Sequence, residues 1–193
     1  MNNISKLTQI IEKEIVNKQV QLMCLALIST EAFQKAPAAM MMHHAYVGGL
    51  LSHTLEVVKI GLKIFEAIEH DEKDVLKDIF VAGAAFHDIG KILEYKWNDA
   101  KPTEVTNKGR LIGHIPMSFS IFEQYAGMFS IEGRYWEGIG HAIISHHGFV
   151  KDRGSPIAPK TLPAIVLHQA DMISAFYGQT KDYPNPDEGI VKE

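Results

Sequence analysis

The stretch VAGAAFHDIGKI (81–92) places a histidine and an aspartate directly after a run of apolar residues. Together with Val75 and Ile79, this run has the spacing of a buried helix. Asp71 is a good N-cap for that helix, and Gly90 marks its end. A charge at the end of a buried helix needs a partner, and a metal cation would satisfy the histidine and the aspartate together.

Helical patterns dominate the chain on both sides of this stretch. Apolar residues recur every three, four or seven positions through the first 33 residues, and a connection follows at 34–42. Further helices are predicted over about 43–69, 115–129, 133–147 and 161–178, with a Gly/Pro loop over 148–160. Residues 93–113 are strand-prone, with turn signals at Asn98-Asp99 and Asn107-Lys108-Gly109, so we expect a short hairpin or an irregular excursion there. The fold class predicted is all-α, a single bundle of roughly six or seven helices.

Composition narrows the function classes. The length of 193 residues predicts one domain, or one domain with a small appendage. The net charge of −4 predicts no strong general attraction to nucleic acid or anionic membranes, although it leaves room for a local basic cleft. The single cysteine, Cys24, excludes a disulfide framework and fits a reducing compartment. Charged residues interrupt the early apolar residues, so we expect no signal peptide, and no apolar run approaches the roughly 20 residues that a membrane span needs. We therefore expect a cytoplasmic protein with no membrane partner.

Histidine is the over-represented residue, with 10 copies. Several of them, with two aspartates, fall near the middle or end of predicted helices or at loop mouths: His53, His87, Asp88, His114, His146, His147 and Asp171. Imidazole and carboxylate ligands suit Mn, Fe, Co, Ni or Zn, and the lack of cysteine ligands argues against a structural zinc site of the finger kind. Seven donors are too many for one tetrahedral ion, and a carboxylate can bridge two metals. The pattern predicts two divalent transition-metal ions that share Asp88.

Each of these residues also has an interpretation without a metal. Asp88 could be polarity at a helix end and Asp171 a surface charge, while His70 and His141 are more typical of packed or surface histidines. The apolar context favours the metal site. Asp171 follows the run Ala164-Ile165-Val166-Leu167, and His146 follows Ile143-Ile144.

Six stretches, taken in order, resemble a known family. They are HHAYVGGLLSHTLEVV (43–58), AFHDIGKI (85–92), GRLIGHI (109–115), ISHHG (144–148), GSPIAP (154–159) and LHQADMISA (167–175). They are similar to the HD-domain metal-dependent phosphohydrolase superfamily, and in particular to the HD module of YhaM-type 3′–5′ exoribonucleases. The first stretch also resembles an HD-like domain of some conjugative relaxase and helicase proteins. The likeness covers about residues 37–178, and it implies a single HD-domain helical bundle.

The resemblance implies roles for individual residues. One metal would be held by His53, His87, Asp88 and Asp171, and the other by Asp88, His114, His146 and His147. Lys91 matches a lysine that contacts substrate phosphate or metal-bound oxygen in the related HD-GYP phosphodiesterases, so Asp88 and Lys91 are the expected catalytic residues. Lys91, His44 and Arg110 are the candidates for substrate binding. Lys91 and Arg110 could instead be solvated charges, and His43 and His44 helix-start residues without a role.

Some features depart from the family pattern. YhaM-type enzymes carry an OB-fold before the HD module, for which we expect no room here. Gly148-Phe149-Val150 stands near the position of the GYP motif, so activity on cyclic-di-GMP is not expected. A glutamate that adds a third metal in some relatives would fall at Gly49. We expect a helical leader over 1–36, packed on an HD domain over 37–178, and a loose tail over 179–193.

The expected activity is hydrolysis of phosphoester bonds, as a phosphodiesterase or 3′–5′ exonuclease on short single-stranded RNA or DNA. The alternative is a phosphohydrolase of nucleotides or small metabolites, and more remote alternatives are a di-iron oxygenase or a scaffold.

Two further groups of residues have alternative interpretations. Tyr95, Trp97 and Tyr125 would either stack bases or belong to the core. The oligomeric state stays open. Basic residues around the excursion would either face phosphates or be solvated: Lys91, Lys96, Lys101, Lys108 and Arg110.

Overall fold

Helices form most of the computed structural model, which describes residues 2–41, 44–69, 71–149 and 154–180. The prediction of an all-α bundle is confirmed. In chain order the elements are α1 (Asn3–Glu14), α2 (Lys18–Ile28), α3 (Glu31–Lys35), α4 (Gly49–Ala67), α5 (Lys73–Phe86), α6 (Lys91–Glu94), β1 (Tyr95–Trp97), β2 (Pro102–Val105), α7 (Asn107–Leu111), α8 (His114–Met128), α9 (Gly133–Ser145) and α10 (Leu162–Thr180).

The helical pattern predicted for the first 33 residues corresponds to three separate helices, the last of which extends to Lys35. Each begins after a polar residue whose side chain accepts a backbone hydrogen bond from the first turn, which is the usual way to satisfy a helix start. These capping residues are Asn2, Asn17 and Thr30. The apolar stripe of α1 and α2, including Leu7 and Ile11, lies in the same core as α4 and α5.

The break between α1 and α2 is stabilised by a distant residue. The buried carboxylate of Asp78, on α5, accepts hydrogen bonds from the backbone N–H groups of Val16 and Asn17, both at 2.8 Å. The hydroxyl of Tyr135 donates to the same carboxylate at 3.3 Å. The sequence periodicity could not reveal this break because its partner lies more than 60 residues away.

The second predicted helix begins later than position 43. Gly48 adopts a left-handed conformation with φ 87°, and α4 starts at Gly49. A Cβ at Gly49 would lie 2.0 Å from the carbonyl oxygen of His44, so only glycine fits there. The predicted start at His43 lies outside the described residues.

Helix α5 is the central element, and Phe80 to Phe86 are buried on every side against α4, α9 and α10. The prediction that Asp71 caps this helix is wrong. The residue before α5 is Glu72, and its side chain makes no capping bond. The helix instead depends on its buried surface, and it delivers His87 and Asp88 to the centre of the bundle.

The predicted excursion is a hairpin followed by a short helix. Strands β1 and β2 pair antiparallel, and the Asn98 side chain accepts the N–H groups of Ala100 and Lys101 in the turn. The second predicted turn, Asn107-Lys108-Gly109, instead opens α7, because the Thr106 hydroxyl accepts the N–H of Gly109 and caps a helix.

The last three long helices lie close to the predicted positions. Of the predicted tail, residues 181–193 lie outside the described residues, as do Val150 and His70. Within the described ranges, no helix combines the length and the apolarity that crossing a membrane requires.

Candidate metal centre

Five helices bring the seven predicted ligands to one place in the bundle. His87 and His146 are the C-terminal caps of α5 and α9, and His114 is the first residue of α8. His53 is the fifth residue of α4, and Asp171 lies on α10. Helix ends are well suited to this task, because a side chain there can point along the axis into a cavity.

A first cluster is formed by His53, His87 and Asp88, whose ligand atoms lie within 4.8 Å of one another. The Nε2 atom of His53 is 3.4 Å from Asp88 Oδ2 and 3.1 Å from Asp171 Oδ1. The Nε2 atom of His87 is 3.3 Å from the same Asp88 oxygen. Two imidazoles and two carboxylates therefore converge on one point.

A second cluster is formed by His114, His146 and His147, again with ligand atoms within 4.8 Å. The Nε2 atoms of His114 and His146 lie 3.4 and 3.7 Å from Asp88 Oδ1. The ring centroids of His146 and His147 are 4.4 Å apart. Glu94 Oε2 lies 3.4 Å from Nδ1 of His114, on the other side of that ring.

Asp88 divides its two carboxylate oxygens between the clusters. Oδ2 faces His53 and His87, whereas Oδ1 faces His114 and His146. Lys91, one helical turn later, donates to Oδ2 at 2.6 Å. This is the arrangement that a carboxylate shared by two cations requires.

The chemistry of the donor set fits divalent metals. Among the described residues, Asp88 Oδ1, His114 Nε2 and His146 Nε2 are buried without a hydrogen-bond partner, and all three face the same space. Unpaired buried polar atoms are costly, so their convergence calls for a group that accepts their lone pairs. A divalent cation meets that need, and mixed imidazole and carboxylate ligands suit first-row transition metals.

Hydrogen bonds fix the rings of two histidines for this purpose. Nδ1 of His87 donates to the carbonyl of Ala84 at 2.8 Å, and Nδ1 of His146 donates to the carbonyl of Ile143 at 2.7 Å. Assigned from this geometry, the neutral form of each ring, which is the form that binds metal, has its proton on Nδ1 and its lone pair on Nε2. Both lone pairs therefore face Asp88.

The electrostatics keep the carboxylates ionised. Burial raises the pKa of Asp88, but the charges of Lys91 and His87 outweigh burial, and the pKa lies well below its usual range. The pKa of Asp171 is likewise lowered, because its hydrogen bond and charge interaction with His53 outweigh burial. Ionised carboxylates are the form that binds metal.

Two histidines of the second cluster, His146 and His147, are held neutral. Burial lowers the pKa of His146 well below its ordinary value, and the neighbouring charges of His87 and His147 lower it further. Burial, followed by the charge of His114, lowers the pKa of His147. Neutral imidazole is the ligand form of histidine, so protons compete weakly at these two rings.

Comparison with known proteins assigns the family. The family model described as the HD domain matches residues 50–175, which include every residue of both clusters. The chain belongs to the HD-domain family. A second family model, described as a putative helicase, matches residues 3–94. No solved structure matches the chain.

Relatives of this HD domain are 3′–5′ exoribonucleases named YhaM. The chain is 35% identical to the protein of Shouchella clausii over 164 residues, 84% of this chain and 49% of that protein. It is 32% identical to the Listeria monocytogenes protein, covering 84% of this chain and 50% of the relative. Against the Oceanobacillus iheyensis protein it is 33% identical, covering 88% of this chain and 52% of the relative. The chain thus spans about half the length of these relatives.

The three predicted substrate-binding residues lie at different places in this HD domain. Lys91 contacts the first cluster through Asp88. Arg110 lies outside the clusters, on α7, where its Nε donates to the carbonyl of Val105 at 3.2 Å. His44 is buried, and its ring nitrogens contact Tyr46 and Glu56. His44 therefore faces protein groups and lines neither of the two pockets beside the site.

Sequence reasoning did not single out the residues that support the histidines. Ser174 Oγ lies 3.1 Å from Nδ1 of His53, and the Glu56 carboxylate accepts the Ser174 hydroxyl at 2.8 Å. The spacing of these two residues from the predicted ligands could have indicated them. Glu56 lies three residues after His53 and Ser174 three residues after Asp171, which places each pair on one helix face.

The aromatic residues belong mostly to the core. Tyr125 packs against Phe86 with ring centroids 5.5 Å apart, and Trp97 packs on the core from β1. Burial raises the pKa of Tyr95, which also hydrogen bonds to Glu94. His141 accepts the backbone N–H of Lys160 at 2.9 Å and is not part of either cluster.

Proposed function

We propose that this HD domain is a metal-dependent phosphohydrolase that acts as a 3′–5′ exonuclease on short single-stranded RNA or DNA. The observation that carries the proposal is Asp88, whose two oxygens face two separate groups of histidines. The exoribonuclease relatives support the choice of a phosphodiester in a nucleic acid over other phosphoesters.

The residues divide into two ligand groups around Asp88. His53, His87 and Asp171 would hold one divalent ion with it, and His114, His146 and His147 would hold another. Two bound divalent ions supply activation of water and stabilisation of the attacking and leaving oxygens in phosphoester hydrolysis. The protein itself keeps Asp88 ionised and His146 neutral, and its backbone carbonyls fix the rings of His87 and His146 by hydrogen bonds.

Lys91 would bind the phosphate. Its Nζ lies 2.6 Å from Asp88 Oδ2, and its side chain keeps 14% of its surface exposed. The ammonium group is thus anchored at the centre by Asp88, on a side chain that is not completely buried. A fixed positive charge there can pair with a nonbridging oxygen and stabilise negative charge that develops on the phosphate.

A pocket of about 320 Å³ opens beside the second cluster. His114 and His147 form one wall, and much of the rest is apolar: Ile112, Ile115, Pro116 and Pro156. Ile112 keeps 52% of its surface exposed, although it is apolar. An apolar pocket beside a phosphate site suits the base or sugar of the terminal nucleotide.

A second pocket, of about 550 Å³, lies across α6 from the clusters. Lys96, Lys108 and Arg110 line it, and Lys96 forms an ion pair with Glu104. Its wall packs directly on α6, because the Thr106 hydroxyl donates to the carbonyl of Leu93 at 2.7 Å. The positive charge suits the phosphates of a strand that continues beyond the terminal nucleotide.

A substrate comparison tests the function. Purified protein with Mn²⁺ is incubated with a 5′-labelled single-stranded oligonucleotide and, separately, with a panel of nucleotides. We expect stepwise shortening from the 3′ end with release of mononucleotides, and no product from Asp88→Ala. Inorganic phosphate from the nucleotide panel, with the oligonucleotide intact, would instead support the nucleotide phosphohydrolase.

Substrate length tests the second pocket. Lys108→Glu combined with Arg110→Glu should weaken oligonucleotide binding and flatten its salt dependence, by about one unit of slope for each phosphate contact removed. Hydrolysis of bis(p-nitrophenyl) phosphate should stay unchanged. The matched control is Lys59→Glu with Lys63→Glu on α4, which makes the same charge change at exposed positions. Equal effects of both double variants would contradict a role for this pocket.

A further inference from the structure

The ring of His53 is held differently from the rings of His87 and His146. The latter two cap their helices, where backbone carbonyls are free to accept a hydrogen bond from Nδ1. His53 is the fifth residue of α4 and lies inside the helix, where the carbonyls are used within the helix. Its Nδ1 therefore needs a partner from another part of the chain.

That partner is a pair of side chains from α4 and α10. Nδ1 of His53 lies 3.1 Å from Ser174 Oγ, and the Ser174 hydroxyl donates to Glu56 Oε2 at 2.8 Å. Ser174 is buried, with 1% of its surface exposed. The same Glu56 oxygen also contacts Nε2 of His44 at 3.1 Å, which links the pair to the segment before α4.

The direction of these hydrogen bonds determines the tautomer of His53. An ionised carboxylate only accepts hydrogen bonds, so the single hydroxyl proton of Ser174 points to Glu56. The Ser174 oxygen is then left with lone pairs only, and it can accept a hydrogen bond from Nδ1–H of His53. In the neutral ring that binds a metal, the lone pair of His53 then lies on Nε2, which is 3.1 Å from Asp171 Oδ1 and 3.4 Å from Asp88 Oδ2.

We propose that Glu56 and Ser174 are positioning residues that hold His53 in the Nδ1–H tautomer and so direct its Nε2 lone pair to a divalent metal. The proposal rests on the metal centre described above and adds a support that the ligand set alone does not include. Outer partners of metal-binding histidines commonly change metal affinity about 10–100-fold when removed.

The test compares two buried serines. Ser174→Ala removes the hydroxyl beside His53. Ser145→Ala removes a hydroxyl of the same size just before His146, where it donates only to the helix carbonyl of His141 at 2.6 Å. Each variant is labelled with ¹⁵N-histidine and loaded with diamagnetic Zn²⁺, and the ring signals are recorded, with His53 assigned by its loss in His53→Gln. Affinity for Mn²⁺ is measured by calorimetry on metal-free samples of the same variants.

In the wild type with Zn²⁺ bound we expect His53 to carry its proton on Nδ1, with slow exchange of that proton with water. Ser174→Ala should speed this exchange and lower the affinity for Mn²⁺ about 10–100-fold, and Ser145→Ala should change neither. Glu56→Ala should also speed the exchange, without touching the serine. A wild-type His53 that binds Zn²⁺ through Nδ1, or Ser174→Ala with unchanged exchange and affinity, would overturn the proposal. A wild type that binds no Mn²⁺ would overturn the metal centre itself, which is a separate outcome.

Discussion

Asp88 is the residue on which both histidine clusters depend. Its backbone position follows the end of α5, its Oδ2 faces one cluster and its Oδ1 the other, and Lys91 anchors it. The neighbouring charges lower its pKa despite complete burial. Asp88 therefore follows the end of the central helix and at the same time lies between the two proposed metal sites.

Replacing Asp88 should separate activity from folding. We expect Asp88→Ala to reduce phosphodiester hydrolysis by more than about 100-fold, beyond the loss typical of an outer partner of a metal ligand. Its helical circular dichroism should stay that of the wild type. His141→Ala is the control, since His141 contacts the backbone of Lys160 outside the clusters. Retained hydrolysis in Asp88→Ala would exclude Asp88 as the shared ligand.

The buried carboxyl group of Asp78, which lies away from the metal site, should make the free energy of unfolding depend on pH. Burial raises its pKa, and the hydrogen bonds from Asn17 and Val16 offset this only in part. A carboxyl group with a raised pKa in the folded state stabilises the fold at acidic pH, and this stabilisation is lost as the pH rises through the folded pKa. The free energy of unfolding of the wild type, minus that of Asp78→Asn, should therefore fall as the pH rises from the usual pKa of an aspartate through the raised pKa of Asp78 in the folded state. Denaturant titrations of both proteins measure this difference, and a rise with pH would contradict the assignment.

Close contacts between the backbone at Gly90 and the backbone of α8 determine how the short helix α6 packs against the long helix α8. A Cβ at Gly90, just before α6, would lie 2.2 Å from the carbonyl oxygen of His114 and 2.7 Å from the N of Ser118. The Gly90 N–H also donates to Ser118 Oγ at 2.8 Å. The second cluster thus depends on a glycine that carries no ligand atom.

Two glycine variants test this contact. Gly90→Ala should lower the free energy of unfolding by about 1–3 kcal/mol, the usual cost of an overpacked site, and weaken Mn²⁺ binding because α8 must move His114. Gly127→Ala is the control, since a Cβ there meets nothing within 4 Å and α8 gains helix propensity. It should raise stability by up to about 1 kcal/mol. Equal effects of the two variants in denaturant titrations would show that the Gly90 contact does not constrain the site.

The elements also show which parts of the structure the sequence could predict. Helices α5, α8, α9 and α10 followed from apolar periodicity, because their buried faces are local patterns. The split of α1 from α2 did not, because Asp78 creates it from a distant helix. The seven site residues could be proposed because each is a titratable group in apolar context, whereas Glu56 and Ser174 look like ordinary helix-surface residues until α4 and α10 are packed together.

At the scale of the whole molecule, the bundle buries several ionisable groups at its centre. Asp88, Asp171, His87 and His146 lie together in the core. The surrounding apolar side chains from α4, α5, α9 and α10 fix their positions. Such a centre is costly without a cation, so metal binding should be coupled to folding.

Metal should therefore stabilise the fold. At a free Mn²⁺ concentration about 100 times the dissociation constant, we expect the free energy of unfolding to rise by about 2.7 kcal/mol for one site, and more if both sites fill. The measurement is denaturant unfolding with Mn²⁺ and with a chelator. In Asp88→Ala the difference between the two conditions should largely disappear. Identical unfolding curves for the wild type in both conditions would contradict the coupling.

The central claim is that two cations meet at Asp88, and anomalous X-ray diffraction from crystals grown with Mn²⁺ tests it most directly. We predict two anomalous peaks about 3.5–4 Å apart, one beside His53, His87 and Asp171 and the other beside His114, His146 and His147, with Asp88 between them. A single peak, or two peaks that do not share Asp88, would contradict the account.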